Sequence, residues 1–122
     1  MTAELWNPKF ESMKPDELKK LQAKRLKNLV KHVYKNNKYY KQKLKNAGVG
    51  PDDIKTVKDI EKIPFLTKND LREYYPYGLV CTDHDNIIEV HASSGTTGKP
   101  VVGPYTRNDV ELWAEVMARS LY

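Results

Sequence analysis

A short run of Ser, Gly and Thr residues between two β-forming segments is the feature that most restricts how this chain folds. The run covers residues 93–100 (SSGTTGKP), and its glycines allow positive φ angles that other residues disfavour. Residues 87–92 (IIEVHA) precede it and residues 101–105 (VVGPY) follow it, and both segments are rich in strand-forming residues. The sequence therefore predicts two short strands joined by a polar, glycine-containing loop.

Amphipathic helices are predicted before this hairpin. The longest covers residues 15–35, where Pro15 suits the first helical position and the acidic pair that follows favours the helix N-terminus. Shorter helices are predicted over residues 38–46, with Tyr40 and Leu44 facing inward, over 56–60 and over 68–74. The apolar face of the long helix is predicted to contain Leu18, Leu21, Leu26, Leu29, Val30 and Val33.

One further helix is predicted after the hairpin. Thr106 and Asp109 have the spacing of a capping box, which marks the start of a helix. The fold class is therefore mixed α/β: helices at the N-terminus, a short β-hairpin bearing the loop, then a helix. The apolar face of the last helix is predicted to consist of Val110, Trp113, Met117 and Leu121.

Length and composition place the chain among single globular domains. It has 122 residues, and it contains no run of 18 apolar residues and no apolar signal-peptide core near its start. Cys81 has no second cysteine to pair with, which agrees with a reducing compartment. We therefore expect a cytoplasmic protein that does not associate with a membrane.

Charge is distributed unevenly along the chain. Residues 1–47 contain 13 basic and 4 acidic side chains, whereas residues 48–122 contain 8 basic and 12 acidic ones. A basic arm of this kind can bind nucleic acid or another phosphate-bearing surface. It is also what a solvated, lysine-rich helix face looks like, and the scarcity of Arg favours that interpretation. A phosphate- or nucleic-acid-binding module that uses the basic N-terminal helices stays open as the alternative function.

The polar loop contains the groups needed to hold phosphate. Its hydroxyl groups donate hydrogen bonds, its glycines let the backbone approach a ligand, and its lysine adds positive charge. It is not a Walker A loop, because the glycines are too close together and Pro100 stands where that motif has a hydroxyl. An ordinary polar hairpin loop is the alternative. The candidate ligands of an ATP phosphate are Ser93, Ser94, Gly95, Thr96, Thr97, Gly98 and Lys99.

The string HASSGTTGKP, residues 91–100, resembles the phosphate-binding signature of the adenylate-forming superfamily. Because Lys99 precedes Pro100, it is most similar to the phenylacetate-CoA ligase branch. The resemblance extends over essentially the whole chain, including residues 6–8 (WNP), 29–34 (LVKHVY), 39–40 (YY), 63–72 (IPFLTKNDLR) and 105–121. The chain is thus identified as resembling the N-terminal part of such a ligase.

The resemblance implies an enzyme that joins an aryl acid to coenzyme A at the expense of Mg·ATP, through an acyl-adenylate. Phenylacetate is the name-giving acid, and other aryl or indole acids stay open. ATP, the acid and coenzyme A are the implied small-molecule partners, with Mg²⁺ accompanying ATP. The loop would hold the β- and γ-phosphates, with Lys99 neutralising the departing pyrophosphate.

The same resemblance divides the chain into residues 1–50, a basic helical segment, and residues 51–122, the start of the AMP-binding domain. The family's adenine-binding segments, acidic magnesium ligand and catalytic lysine have no counterpart here, so no catalytic or metal-binding residue is predicted. The last helix reaches Leu121 and Tyr122 without a stop signal, which predicts a truncated piece of a longer enzyme. We expect this fragment to be inactive, to bind no cofactor tightly and to self-associate through unpaired strand edges and its apolar helix face.

The remaining histidine, cysteine and tyrosine side chains near the loop in sequence are predicted to have structural roles. His91 is interpreted as a polar strand end, with contact to phosphate or substrate as the alternative. His84 is assigned to a solvated turn, and Cys81 has no recognisable histidine partner for catalysis. The aromatic residues Tyr74, Tyr75 and Tyr77 are interpreted as packing residues and not as a base-stacking platform.

Overall fold

The structure, a computed structural model, describes residues 4–96 and 98–122 as an α/β arrangement of helices around one β-hairpin. Three short 3₁₀ helices cover Pro51–Asp53, Val57–Lys62 and His84–Asn86. The other elements, in chain order, are helices α1 (Pro8–Glu11), α2 (Pro15–Asn36), α3 (Lys38–Asn46) and α4 (Lys68–Glu73), strands β1 (Ile87–Ala92) and β2 (Val102–Thr106), and helix α5 (Arg107–Leu121). The predicted mixed α/β class is confirmed.

Most predicted elements are present with small shifts. The ends of α2 and α3 agree with the predicted ones to within a residue, and β2 begins and ends one residue later than predicted. The helix predicted over residues 56–60 is a 3₁₀ helix that extends to Lys62. Helix α1 and the 3₁₀ helices at 51–53 and 84–86 were not predicted, because three or four residues are too few to show an apolar period.

A small apolar core lies where α2 crosses α3. Ile54 is completely buried, and partly buried residues of α2 pack around it. Leu18 and Leu29, which were predicted to face the core, are instead 38% and 58% exposed. Helix α3 and the 3₁₀ helices cover only a narrow strip of α2, so the ends of its apolar face stay in solvent. The buried residues of this core are Val30, Leu44, Val49 and Ile54.

Asn37 fixes the junction between α2 and α3. Its side-chain oxygen accepts hydrogen bonds from the N–H groups of Tyr39, at 2.9 Å, and Tyr40, at 3.4 Å, and so caps α3. Its side-chain nitrogen donates to the carbonyl oxygens of Gly78, at 2.9 Å, and Val80, at 3.2 Å. One side chain therefore begins a helix and attaches the segment that leads to the hairpin.

Asp70 joins α4 to α3. Its carboxylate accepts hydrogen bonds from the N–H and hydroxyl of Thr67, at 2.7 and 2.9 Å, and its own N–H donates to the Thr67 hydroxyl, at 3.3 Å, which forms a capping box. The same carboxylate lies 2.9 Å from the Lys43 ammonium, and both side chains are largely shielded from solvent. The ammonium of Lys43, followed by the N–H of Thr67, holds the pKa of Asp70 well below its usual range.

We expect this pair to make stability pH-dependent. A carboxyl whose pKa is lowered on folding stabilises the fold above its unfolded pKa of about 4, and that contribution is lost as the pH falls below it. The Asp70→Asn variant should therefore unfold more easily than the unsubstituted chain at pH 6, with a smaller difference at pH 3. Urea unfolding at both values measures this. Asp85→Asn, on an exposed turn, is the control, and an unchanged Asp70→Asn difference at pH 3 would contradict the assignment.

The N-terminal segment is attached to α5. The carboxylate of Glu115 accepts hydrogen bonds from the Trp6 indole, at 3.0 Å, and from the Asn7 amide, at 2.6 Å. These two bonds, the Asn7 bond first, lower the pKa of Glu115. The Tyr122 hydroxyl also donates to Glu4, at 3.0 Å. Residues more than 100 positions apart in sequence thus pack side by side.

Strands β1 and β2 pair antiparallel and present the polar loop at their far end. His91 pairs with Gly103, and Ala92 pairs with Val102 next to the loop. A register shift between Ile87 and Glu89 bulges β1 at its other end. Within residues 4–96 and 98–122, no helix combines the length and apolar character that a bilayer-crossing helix requires.

Candidate functional site

The neck of the loop, just beyond the ends of the two strands, is closed by two hydrogen bonds between Ser93 and Val101. The N–H of Ser93 donates to the carbonyl oxygen of Val101, at 2.9 Å. The N–H of Val101 donates to the Ser93 hydroxyl oxygen, also at 2.9 Å. Ser93 therefore holds the two sides of the loop together, and its hydroxyl proton is left to donate elsewhere.

The tip of the loop is a tight turn that requires glycine. Gly95 and Gly98 have φ angles of +68° and +131°, and the N–H of Gly98 donates to the Gly95 carbonyl oxygen at 3.1 Å. A Cβ on Gly95 would lie 3.0 Å from the Gly98 carbonyl oxygen and 3.4 Å from the nitrogen of Pro100. The backbone is thus fixed by sterics, and the Gly98 amide is already used inside the turn.

Three of the predicted phosphate ligands have exposed side chains that no described residue engages. Ser94, Thr96 and Lys99 are exposed, and their polar side-chain atoms make no hydrogen bond or ion pair to any residue that the structure describes. Thr97, the remaining predicted hydroxyl ligand, lies outside the described residues. Because residues 93–100 include a lysine and no carboxylate, the tip is locally positive. Two hydroxyl donors and an ammonium at one exposed tip can together bind an anion.

His91 is held on the strand that leads into the loop. Its ring nitrogen Nε2 contacts the carboxylate of Glu89. Its ring lies 5.2 Å from that of Tyr105 and 5.5 Å from that of Trp113, measured between ring centroids. These contacts favour the interpretation of His91 as a packed strand residue over the alternative of a phosphate ligand.

The surroundings of the other candidate side chains favour a structural role over a catalytic one. Cys81 is half-buried, which raises the pKa of its thiol and disfavours a reactive thiolate. His84 is exposed with its ring 5.4 Å from Tyr77, and Tyr74 packs against Tyr39 with ring centroids 4.5 Å apart. Among the described residues, no group of three or more His, Cys, Asp or Glu side chains is arranged to hold a metal ion.

A cleft of about 650 Å³ between α2 and the hairpin was not predicted from the sequence. Its lining is contributed by α2, by Tyr40 of α3, by parts of the segment 71–82, by both strands and by the start of α5. These residues are far apart in sequence, so no local motif marks the cleft. None of the loop residues that the structure describes, 93–96, 98 and 99, lines it, and this part of the loop is therefore separate from the cleft.

The chain is similar to curated CoA ligases over nearly its whole length. It is 45% identical over 117 residues to the phenylacetate-coenzyme A ligase of Thermus thermophilus, and 47% identical over 112 residues to that of Escherichia coli. These matches cover 96% and 92% of this chain but only 26% of each relative. The chain thus spans about a quarter of the length of the curated relatives it matches. No family model matches the chain.

Solved structures of a CoA ligase have the same fold. An open conformation of 2-hydroxyisobutyryl-CoA ligase, in complex with 2-HIB-AMP and CoA, superposes with a TM-score of 0.84 at 30% identity, over 97% of this chain and 28% of the ligase chain. The thioesterification state of that ligase gives a TM-score of 0.78 at 32% identity, over 88% and 24%. The described structure therefore matches the N-terminal part of an adenylate-forming ligase.

Proposed function

We propose that this chain supplies the ATP-phosphate-binding part of an AMP-forming ligase that joins an aryl acid, such as phenylacetate, to coenzyme A. The observation that carries the proposal is the hairpin tip, where Ser94, Thr96 and Lys99 are exposed beside the turn at Gly95 and Gly98 and their side chains bond to no described residue. The similarity to phenylacetate-coenzyme A ligases supports the choice of reaction and of acid.

The loop acts on the first of two steps. The carboxylate of the acid attacks the α-phosphorus of ATP, the bond from that phosphorus to the bridging oxygen breaks, and pyrophosphate leaves with the electron pair. Ser94, Thr96 and Lys99 hold the β- and γ-phosphates and stabilise the charge that accumulates on the leaving pyrophosphate. The thiol of coenzyme A then attacks the acyl-adenylate, loses its proton and displaces AMP, a step in which the loop has no assigned part.

We assign no Mg²⁺ ligand among the described residues. They contain no cluster of three or more metal-ligating side chains, and the loop contains no carboxylate. For the complete enzyme we propose that Mg²⁺ accompanies ATP, that coenzyme A is the second substrate and that the location is cytoplasmic.

We expect the isolated chain to form no phenylacetyl-CoA from ATP, Mg²⁺, phenylacetate and coenzyme A. It spans about a quarter of the length of the relatives it matches, and beyond the phosphate-holding side chains of the loop the described residues contain no group assigned to either chemical step. A hybrid ligase, in which this chain replaces the matching segment of the Escherichia coli phenylacetate-coenzyme A ligase, should be active. Thioester formation is measured for both, with the unmodified Escherichia coli enzyme as the positive control. Turnover by the isolated chain, or a folded hybrid without activity, would contradict the proposal.

The charge asymmetry supports a second candidate, binding of nucleic acid by the basic helices. Part of that charge is already engaged within the structure, since Lys27 lies 3.5 Å from Asp52 and the Arg25 guanidinium lies 5.4 Å from the centre of the Phe10 ring. A salt-dependent mobility shift of DNA by the isolated chain would favour this candidate.

Self-association of the isolated chain is a separate proposal. Trp113, Met117 and Leu121 of α5 are 44%, 47% and 82% exposed, and a second copy could cover them. Sedimentation of the isolated chain at increasing concentration measures it.

A further inference from the structure

Helix α5 has one face that is already covered. Glu115 accepts two hydrogen bonds from the N-terminal segment, and the Arg119 guanidinium lies 3.6 Å from the carboxylate of Glu11. Tyr122, one turn further on, packs against Trp6 with ring centroids 5.6 Å apart. Positions 115, 119 and 122 lie on one side of a helix, so the N-terminal segment occupies this side.

The opposite side of α5 is apolar and open. Its residues recur at spacings of four and five, which places them on one continuous strip. A groove of about 470 Å³ lies over the first part of this strip, where Asp109 of α5 and Pro104 and Tyr105 of β2 also line it. We call this surface the α5 apolar face; it consists of Leu112, Trp113, Val116, Met117 and Leu121, which are 54%, 44%, 54%, 47% and 82% exposed.

The α5 apolar face is continuous with the hairpin that carries the loop. The Trp113 ring packs against Tyr105 of β2 and His91 of β1, with centroids 5.6 and 5.5 Å apart. The hairpin itself is a sheet of only two strands in the described residues, and Ile88 and Val90 on β1 are about half exposed. Large apolar surfaces of this kind mark sites of protein contact, and a two-stranded sheet gains stability from further packing.

We propose that the α5 apolar face docks the portion of a CoA ligase that this chain does not span, whether that portion is covalently joined to it or is a separate polypeptide. The inference rests on the proposed function. This chain covers 26% of the length of each of two curated relatives and 28% of a solved ligase chain. About three-quarters of a ligase therefore has to pack against it.

The position of the loop selects this face for that contact. A ligase has to bring its acid and coenzyme A to the α-phosphate of an ATP whose outer phosphates the loop holds. The rest of the enzyme must therefore abut the hairpin, and α5 is the helix packed on the hairpin. Because the α5 apolar face consists of apolar side chains, with Asp109 at the end of the groove next to β2, we infer a largely apolar surface on the docking portion.

Val116→Asp tests this assignment, since Val116 belongs to no phosphate-binding group. In the hybrid ligase we expect the substitution to lower the thermal unfolding midpoint by roughly 10 °C, because it buries an unpaired charge at the contact. In the isolated, dilute chain, where Val116 is 54% exposed, we expect almost no change. Gln22→Asp, on the exposed polar side of α2, introduces the same charge and should leave both midpoints unchanged.

Each other outcome overturns the docking assignment. A hybrid that is unaffected by Val116→Asp would show that the face stays in solvent. An equal loss in the isolated chain would show that the chain itself, or a second copy of it, covers the face. A hybrid with the unsubstituted chain that does not fold cooperatively would show that the surfaces do not match. The readout needs no substrate, so a folded but inactive hybrid refutes the proposed function and leaves the docking test intact.

Discussion

Lys99→Ala in the hybrid ligase is expected to lower phenylacetate-dependent pyrophosphate release by about a hundredfold or more. Lys99 provides the positive charge at the loop tip, and loss of one preorganised donor to a developing anion costs about 10²–10³ in rate. The effect should appear in kcat as well as in the KM for ATP, because the charge on pyrophosphate grows as the bond to the α-phosphorus breaks. The measurement is steady-state pyrophosphate release at saturating phenylacetate.

Two further lysine variants are the controls for the Lys99→Ala result. Lys68→Ala removes an equally exposed lysine from the start of α4 and should leave the rate unchanged. Lys99→Arg keeps the charge and should recover part of the activity. If the hybrid keeps its normal rate and ATP affinity when Ser94, Thr96 and Lys99 are all replaced by Ala, the loop does not bind phosphate.

Ile54→Ala is expected to lower the free energy of unfolding of the isolated chain by about 3 kcal/mol. Ile54 is fully buried among Val30, Leu44 and Val49, and the replacement removes apolar contacts and leaves a cavity. Domains of this size are stable by only about 5–15 kcal/mol, so the loss is a large fraction of the total. Urea unfolding followed by circular dichroism measures it.

Ile60→Ala is the matched control for the core. Ile60 is 56% exposed in the 3₁₀ helix Val57–Lys62, so its truncation should cost well under 1 kcal/mol. Equal effects of the two substitutions would show that the small core is not what holds α2, α3 and the 3₁₀ helices together.

Local patterns were sufficient to predict helices α2 to α5 and the hairpin. Helix α2 was predicted almost completely, because Pro15 marks its start and apolar residues repeat along it. The same pattern was wrong about Leu29, which is exposed, since periodicity identifies an apolar face but not how much of it another element covers. Contacts such as that of Trp6 with Glu115 could not be predicted, because they join residues 109 positions apart and depend on the completed fold.

The loop was predicted from its composition, and the structure adds how its groups are used. Glycines were expected where the backbone turns sharply, and Gly95 and Gly98 have positive φ angles. That Ser93 closes the neck of the loop could not be read from the sequence, because its partner Val101 depends on strand register. Ser94 and Thr96 stay predicted phosphate ligands.

The internal hydrogen bond of the turn affects how tightly an anion can be held. The N–H of Gly98 already donates a hydrogen bond to the Gly95 carbonyl oxygen. A phosphate oxygen that accepted this hydrogen bond would only replace one acceptor by another. Net attraction must then come mainly from the lysine charge and the hydroxyl groups in open solvent. Mobile counter-ions screen such interactions, so the affinity of this turn for a polyanion should fall steadily as ionic strength rises.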